Sequence, residues 1–223
     1  MVKRLMDIVA SVFALLALGL PMLLIALLIR LTSRGPAIFR QTRAGYRGKP
    51  FTMLKFRTMR SDADPYGRSP QAGDDPRLTR IGKLLRETSL DELPQLLNVL
   101  AGQMSLVGPR PLYERQAAQW NDRQRKRLDV RPGITGYAQV QGRGDLPIEE
   151  KIELDLHYVE NRSLWLDICI LFRTILNMTG RKGDIYEKRY SLNSEREEGV
   201  DEPDHADATP GRDSKRSTRN SQA

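Results

Sequence analysis

Cysteine is almost absent from the 223-residue chain: the single Cys169 excludes an intrachain disulfide, and its place in the apolar run Leu164 to Leu176 reads as packing rather than chemistry. Histidine is nearly as scarce. His157 falls on the polar side of an amphipathic segment, His205 lies in a polar tail, and no Cys, His or Asp at ligand spacing supports a zinc site. There is no Walker-type glycine loop and no G-x-S-x-G turn, which gives phosphate-loop and serine-hydrolase mechanisms little weight. Zinc-finger spacing, RNP-like aromatic motifs, a bZIP-like basic helix and internal repeats are also missing. The net charge of +8 calls for anionic partners, either acidic lipid headgroups, phosphorylated substrates or nucleic acid. Without a recognition motif no nucleic-acid partner is expected.

What the sequence does have is a long apolar run. From Ile8 to Ile29 there is no charge, and about 22 residues at 1.5 Å each match a bilayer core of about 30 Å. The run is too long for a signal peptide. Lys3 and Arg4 precede it and Arg30, Arg34, Arg40 and Arg43 follow it, so both ends ask for the cytoplasmic side. Pro21 in its middle removes a helix hydrogen bond and kinks the axis, which favours a segment that enters the cytoplasmic leaflet and returns over one that spans it.

Beyond the membrane segment, Ala37 to Arg40 and Phe51 to Phe56 read as short strands around the turn-rich stretch Arg43 to Pro50. Ser61 to Pro76 is loop in composition. Leu93, Leu96, Leu97 and Leu100 have the spacing of one buried helix face. Glu114 to Leu128 reads as one polar helix, Arg131 to Gly136 as a turn, and Tyr137 to Val140 as a strand. Ile148, Ile152, Leu156 and Val159 form the stripe of a further helix. Leu164 to Leu176 forms another, with Trp165 suited to a headgroup level; both helices suit either a core or the membrane interface. From about Ser191 the composition is that of a disordered tail.

Chemistry concentrates in Arg86-Glu-Thr-Ser-Leu-Asp-Glu-Leu-Pro-Gln95. The adjacent carboxylates Asp91 and Glu92 stand at the start of a helix, where they could bind a divalent cation and where one could attack phosphorus. Ser89-x-x-Glu92 equally matches a capping box, and Pro94 makes Asp91 itself a candidate cap. Lys55, Arg57, Arg77, Arg80, Arg86, Arg110, Arg131 and Arg143 lie in or beside turns. Together with Gly108-Pro-Arg-Pro111 and Arg131-Pro-Gly133 they suggest a diphosphate pocket.

Five stretches carry a resemblance that covers about Val2 to Asn177: Lys55-Phe-Arg-Thr-Met59; Leu85 to Gln95 with Asn98-Val-Leu; Met104-Ser-Leu-Val-Gly-Pro-Arg-Pro111; Val130-Arg-Pro-Gly-Ile-Thr-Gly-Tyr-Ala-Gln139; and Gly142-Arg143. The chain resembles the bacterial sugar transferases that act as monotopic polyprenyl-phosphate phosphoglycosyl transferases, in their small form consisting mainly of the catalytic domain. The resemblance implies that Asp91 attacks the β-phosphate of a UDP-sugar, releasing UMP, and that a polyprenyl phosphate, expected to be undecaprenyl phosphate, then takes the phosphosugar from the aspartyl intermediate. It further implies that Asp91 and Glu92 hold Mg2+, with Glu92 supporting the metal site or proton handling. Lys55, Arg57, Arg86, Arg110, Arg131 and Arg143 would bind substrate. One departure is Leu20, where members often have serine before the kink proline, which leaves the break with less local hydrogen bonding.

The expected fold is α+β and mainly helical. It comprises a kinked, re-entrant membrane helix over residues 1–34, a small cytosolic catalytic domain with short strands and interfacial amphipathic helices over 35–180, and a variable tail over 181–223. The expected place is the bacterial inner membrane with the active site facing the cytoplasm, in contact with membrane lipids, at the first membrane step of surface-glycan synthesis; the sugar and any homo-oligomer stay open. Hydrolysis of nucleotide sugars or lipid diphosphates by the same aspartate, and a non-enzymatic membrane scaffold or nucleic-acid binder, are the rival readings.

Overall fold

The computed structural model describes residues 1–180 except 65, 66, 68, 69, 71, 72 and 143–145. The expected tail over 181–223, with His205, lies outside the described residues, as does part of the Ser61 to Pro76 loop.

Helix α1 (Val2–Thr32) contains Pro21 and is long and apolar enough to cross a membrane, with only 6% of its apolar stretch buried within the protein. Its lipid-length middle leaves Phe13, Leu16, Leu20, Leu23, Leu24 and Leu27 exposed, while both ends are tied to the rest of the chain. At the N-terminal end Asp7 is buried and accepts hydrogen bonds from Ser105 Oγ (2.9 Å) and the Leu106 amide (3.1 Å). Lys3 Nζ reaches Asp167 at 2.7 Å, and the Arg4 guanidinium donates to the carbonyls of Val99 and Leu100 at 2.7 and 3.1 Å. At the other end Ile29 packs with Ala37, Phe56 and Leu85. There Arg57 donates to the carbonyls of Arg34 (2.6 Å) and Ser33 (3.0 Å) and to the Ser33 hydroxyl (2.7 Å). These bonds fasten the C-cap residue Ser33 and the residue after it to the end of β2.

Strands β1 (Ile38–Ala44) and β2 (Pro50–Phe56) form an antiparallel hairpin in the register Ile38↔Phe56 to Ala44↔Pro50. The first strand continues four residues past the expected Arg40, because Gln41 to Ala44 find ladder partners across the hairpin and the turn tightens to Tyr46–Gly48. Helix α2 (Arg80–Glu87), which composition alone does not announce, starts where the Thr79 side chain accepts the Gly82 amide at 2.9 Å.

Helix α3 (Gln95–Leu100) departs from the expected leucine face: its buried residues are Gln95, Leu96, Asn98 and Val99, and Leu97 is 47% exposed. The reason is polar. Asn98 accepts the Leu54 amide at 3.0 Å and donates to the Thr52 carbonyl at 2.7 Å, so its side-chain amide pairs with β2 like a short piece of strand. That bond pair turns Asn98 inward and fixes α3 against β2. Val99 joins Phe51, Met53 and Met104 in the core beneath, where each large apolar side chain contributes about 1.5–3 kcal/mol.

Strands β3 (Ser105–Val107) and β4 (Gly133–Thr135) pair in parallel. The strand expected at Tyr137 to Val140 is instead helix α6 (Tyr137–Gln141), and the strand lies in the stretch read as a turn. Glycine permits this: a Cβ on Gly133 would stand 2.1 Å from the Gly108 amide nitrogen, so only a bare backbone approaches this closely. The single helix expected over Glu114 to Leu128 is α4 (Glu114–Ala118), α5 (Asp122–Arg125) and a tight turn at Lys126–Asp129. Buried Trp120 interrupts it, and Asn121 restarts it by accepting the Gln124 amide while Gln124 Oε1 accepts the Asn121 amide.

Helices α7 (Ile148–Asn161) and α8 (Leu164–Gly180) lie where the apolar stripes place them. Tyr158 and Ile170 pack with Val107, and the Tyr158 hydroxyl reaches Asp167 at 2.7 Å. The opposite side of α8 exposes Trp165 (74%), Ile168, Phe172, Ile175 and Leu176. His157 is exposed on α7, as its polar-face position suggests.

Candidate active site

The Asp91–Glu92 pair lies in a tight turn, Leu90–Glu92, between α2 and α3. Ser89 precedes it in the left-handed region (φ 58°), a conformation that costs a non-glycine residue about 1–3 kcal/mol and is kept where the surroundings demand it. The Ser89 side chain makes no cap hydrogen bond, and the residue capping α3 is Pro94. Neither the capping box nor an Asp91 cap is formed, so helix capping does not explain the carboxylates.

Their surroundings are cationic. Lys55 Nζ at the end of β2 contacts Glu92 Oε1 at 2.8 Å, and Arg110 from the segment after β3 contacts the same oxygen at 3.0 Å. Arg86 on the last turn of α2 donates through Nε to the Thr58 hydroxyl at 3.0 Å, near enough for its charge to act on Asp91. The structure thus gathers Asp91, Glu92, Lys55, Arg86 and Arg110. It does not gather all the expected basic residues. Arg57 is turned to the end of α1, Arg131 is exposed and donates to the Gly102 carbonyl at 2.8 Å, Arg77 pairs with its neighbour Asp75 at 2.7 Å, and Arg80 is exposed at the start of α2. Arg143 lies outside the described residues.

The adjacent carboxylates titrate in opposite senses. Burial pushes the Asp91 carboxyl up, against the pull of Lys55, Arg86 and Arg110, and Glu92 beside it adds to the rise. Burial also pushes Glu92 up, but Arg110 and Lys55 overcome it and bring the group down to about 2. Burial lowers the Lys55 ammonium, opposed by Glu92. The two carboxylates are thus driven apart in pKa by their different shares of the same cations, the pattern on which a division of roles can be built. Glu92 pairs with both cations, while Asp91, 7% exposed, is the carboxylate whose anion burial disfavours.

Among the described residues no group of three or more His, Cys, Asp or Glu side chains could enclose a metal. The donor set still fits Mg2+, which takes one or two carboxylates and completes its shell with water and substrate phosphate oxygens. Sequence reasoning missed Thr58, which orients Arg86, and Asn98, which fixes α3; both stand inside the quoted motifs, but only the folded hairpin shows what they bond.

An apolar helix with its ends fastened to a small domain, and a buried Asp91 beside a half-buried Glu92 among three cations, are features that suit a membrane-associated enzyme of phosphorylated substrates. Comparison with known proteins agrees. Residues 1–181 match the bacterial sugar transferase family model, and the chain belongs to that family of phosphoglycosyl transferases. It is 45% identical over 181 residues to an uncharacterized sugar transferase, EpsL, of Bacillus subtilis strain 168, covering 81% of this chain and 89% of that one. It is 48% identical to the UDP-glucose:undecaprenyl-phosphate glucose-1-phosphate transferase of Caulobacter vibrioides, over 78% of this chain and 68% of the relative. It is 44% identical to the Escherichia coli K12 protein of the same name, over 78% of this chain but only 39% of that relative's length.

The raised Asp91 gives a test. Its stability contribution is present at low pH and is lost as pH rises through its raised pKa, since the buried anion is the unfavourable form. Asp91→Asn is therefore expected to raise Tm in magnesium-free buffer at pH 7.5, by about 2–4 °C per kcal/mol relieved, and to lose that gain near pH 4. A lower Tm at pH 7.5 in thermal unfolding would contradict the burial-driven shift.

Proposed function

We propose that the protein transfers the phosphosugar of a UDP-sugar to a polyprenyl phosphate, with undecaprenyl phosphate as the acceptor and UMP as the leaving product. The observation that carries this reading is the buried Asp91 beside a Glu92 that holds Lys55 and Arg110 within 3.0 Å. Phosphoryl transfer asks for in-line positioning and charge neutralisation more than for acid–base chemistry, and the site offers that. The names of the Caulobacter and Escherichia coli relatives supply the donor class and the acceptor.

In this mechanism an Asp91 carboxylate oxygen forms a bond to the β-phosphorus as the bond from that phosphorus to the bridging oxygen breaks, and UMP leaves with the bridging oxygen. A phosphate oxygen of the lipid carrier then attacks the same phosphorus, and Asp91 departs as carboxylate. Lys55, Arg86 and Arg110 neutralise the phosphate oxygens, and Arg143 joins them by family resemblance. Asp91 and Glu92 would hold Mg2+, whose role when bound is to neutralise the diphosphate. In this reading Arg57, buried and bonded to the Ser33 and Arg34 carbonyls, serves the end of α1, whereas Arg131, exposed and bonded through Nε to the Gly102 carbonyl, keeps N–H groups to offer a phosphate.

Membrane topology belongs to the same reading. α1 enters and leaves on the cytoplasmic side, which is supported by both of its ends being bonded to one domain, Lys3, Arg4 and Asp7 at one end and Ser33 and Arg34 at the other. In this reading the exposed face of α8 lies in the interface with Trp165 at headgroup level, supported by the exposure of Trp165, Ile168 and Phe172, and Asp91 faces the cytoplasm, where UDP-sugars are found. In a Cys169→Ala background, Val2→Cys and Arg34→Cys are expected to react with an impermeant maleimide from the cytoplasmic side alone; labelling of the two from opposite sides would defeat the re-entrant path.

Multiple-turnover UMP release from a panel of UDP-sugars, UDP-glucose first, is expected to require both magnesium and undecaprenyl phosphate, whereas magnesium alone supports one stoichiometric release as the aspartyl intermediate forms. Asp91→Asn should reduce it by at least a thousandfold while the protein stays in the membrane fraction. Continuous UMP release without lipid would instead establish hydrolysis, and unchanged activity in Asp91→Asn would remove the nucleophile.

A further inference from the structure

Arg110 reaches Glu92 from a backbone segment with little means of holding itself. Pro109 and Pro111 have no N–H, so the segment Gly108 to Leu112 is fixed by bonds made to it from outside. The Gly108 amide donates to Thr135 O at 2.9 Å, Pro109 O receives the Gly133 amide at 2.9 Å, and Leu112 O receives the Ala44 amide at 3.0 Å. Arg110's own carbonyl receives Arg127 NH2 at 3.1 Å, the one tether in this set that comes from a side chain.

Arg127 is 4% exposed and is itself held from two directions. The same NH2 donates to the buried Asp155 of α7, and the Trp120 ring lies 4.7 Å from the guanidinium carbon. Stability is a poor reason for this arrangement. Replacing a buried ion pair by apolar residues of similar volume is often neutral or stabilising by about 1–4 kcal/mol, and Arg127 Nε and NH1 have no hydrogen-bond partner among the described residues. What the pair supplies is direction, an NH2 aimed at one carbonyl.

We propose that Arg127 and Asp155 are positioning residues, which act through the Arg110 carbonyl to set the Arg110 guanidinium against Glu92. Neither touches Glu92 or Asp91. Loss of the tether removes one of the bonds that fix the segment, so the Arg110 guanidinium, 39% exposed, is set less firmly against Glu92 and the phosphate site loses a cation of fixed geometry. This inference rests on the transferase reading given above.

The test uses the full chain in membranes and compares Arg127→Met/Asp155→Leu, which removes both charges together so that neither is stranded, with Arg110→Ala and with all three substitutions combined. The paired variant is expected to melt at or above the wild-type temperature yet to release UMP about ten- to hundredfold more slowly, the size of a lost hydrogen bond to a charged group. The combined variant should be no slower than Arg110→Ala alone, because residues acting through one group are not additive. Multiplying rate losses in the combined variant, or an unchanged rate in the paired one, would overturn the proposal. Should the paired variant fail to fold, Arg127→Lys, which keeps a charge opposite Asp155 without the planar fork, is put through the same comparison and judged by the same two criteria. Silence of the wild-type protein would count against the transferase reading, whereas additivity in an active protein counts against the positioning role alone.

Discussion

One carboxylate oxygen, Glu92 Oε1, receives both Lys55 and Arg110, and the fold is organised around bringing these three residues together. They come from the end of β2, from a tight turn and from a proline-bound segment, and each has its own fastening. The Asn98 side-chain amide bonds β2 to α3, left-handed Ser89 bends the chain into the turn, and the bare backbones of Gly108 and Gly133 bring the proline segment against β4. With Glu92 held at about 2 by its cations, Asp91 is left buried, raised in pKa and poorly compensated.

The membrane helix is fastened by the same domain that builds the site. Asp7 is buried against β3 and Arg4 covers the last carbonyls of α3, while Arg57 closes the other end of α1. Because β3 leads directly into the segment of Arg110, and α3 follows directly on Glu92, the position of the helix and the geometry of the site are set by shared elements. Under the proposed transferase reading, a lipid-borne phosphate would meet a site held to its anchor by these shared elements.

Much of this was legible before the structure. The apolar run, the hairpin, the two last helices and the carboxylate pair all follow from local patterns that a sequence displays. The partners of the carboxylates did not, since Lys55 and Glu92 are 37 residues apart and nothing local ties Arg127 to Arg110. Arg57 shows the limit most clearly: an arginine beside a turn serves a phosphate or a carbonyl equally well, and only the folded backbone turns this one to the Ser33 and Arg34 carbonyls. The leucine stripe of α3 misled for a related reason, because the buried Asn98 amide outweighs the preference of Leu97 for the interior. Tyr137 to Val140 is short enough to suit either strand or helix, and the glycines before it had already taken the strand.

The central claim is that Asp91 carries the phosphosugar, and it is tested most directly by incubating the protein with its UDP-sugar and magnesium, without lipid, and sequencing the resulting peptides by mass spectrometry. A covalent role predicts a sugar-phosphate adduct on Asp91 that disappears on adding undecaprenyl phosphate. Rapid transfer to lipid with no adduct on Asp91 at any time, or an adduct on a different residue, would contradict it.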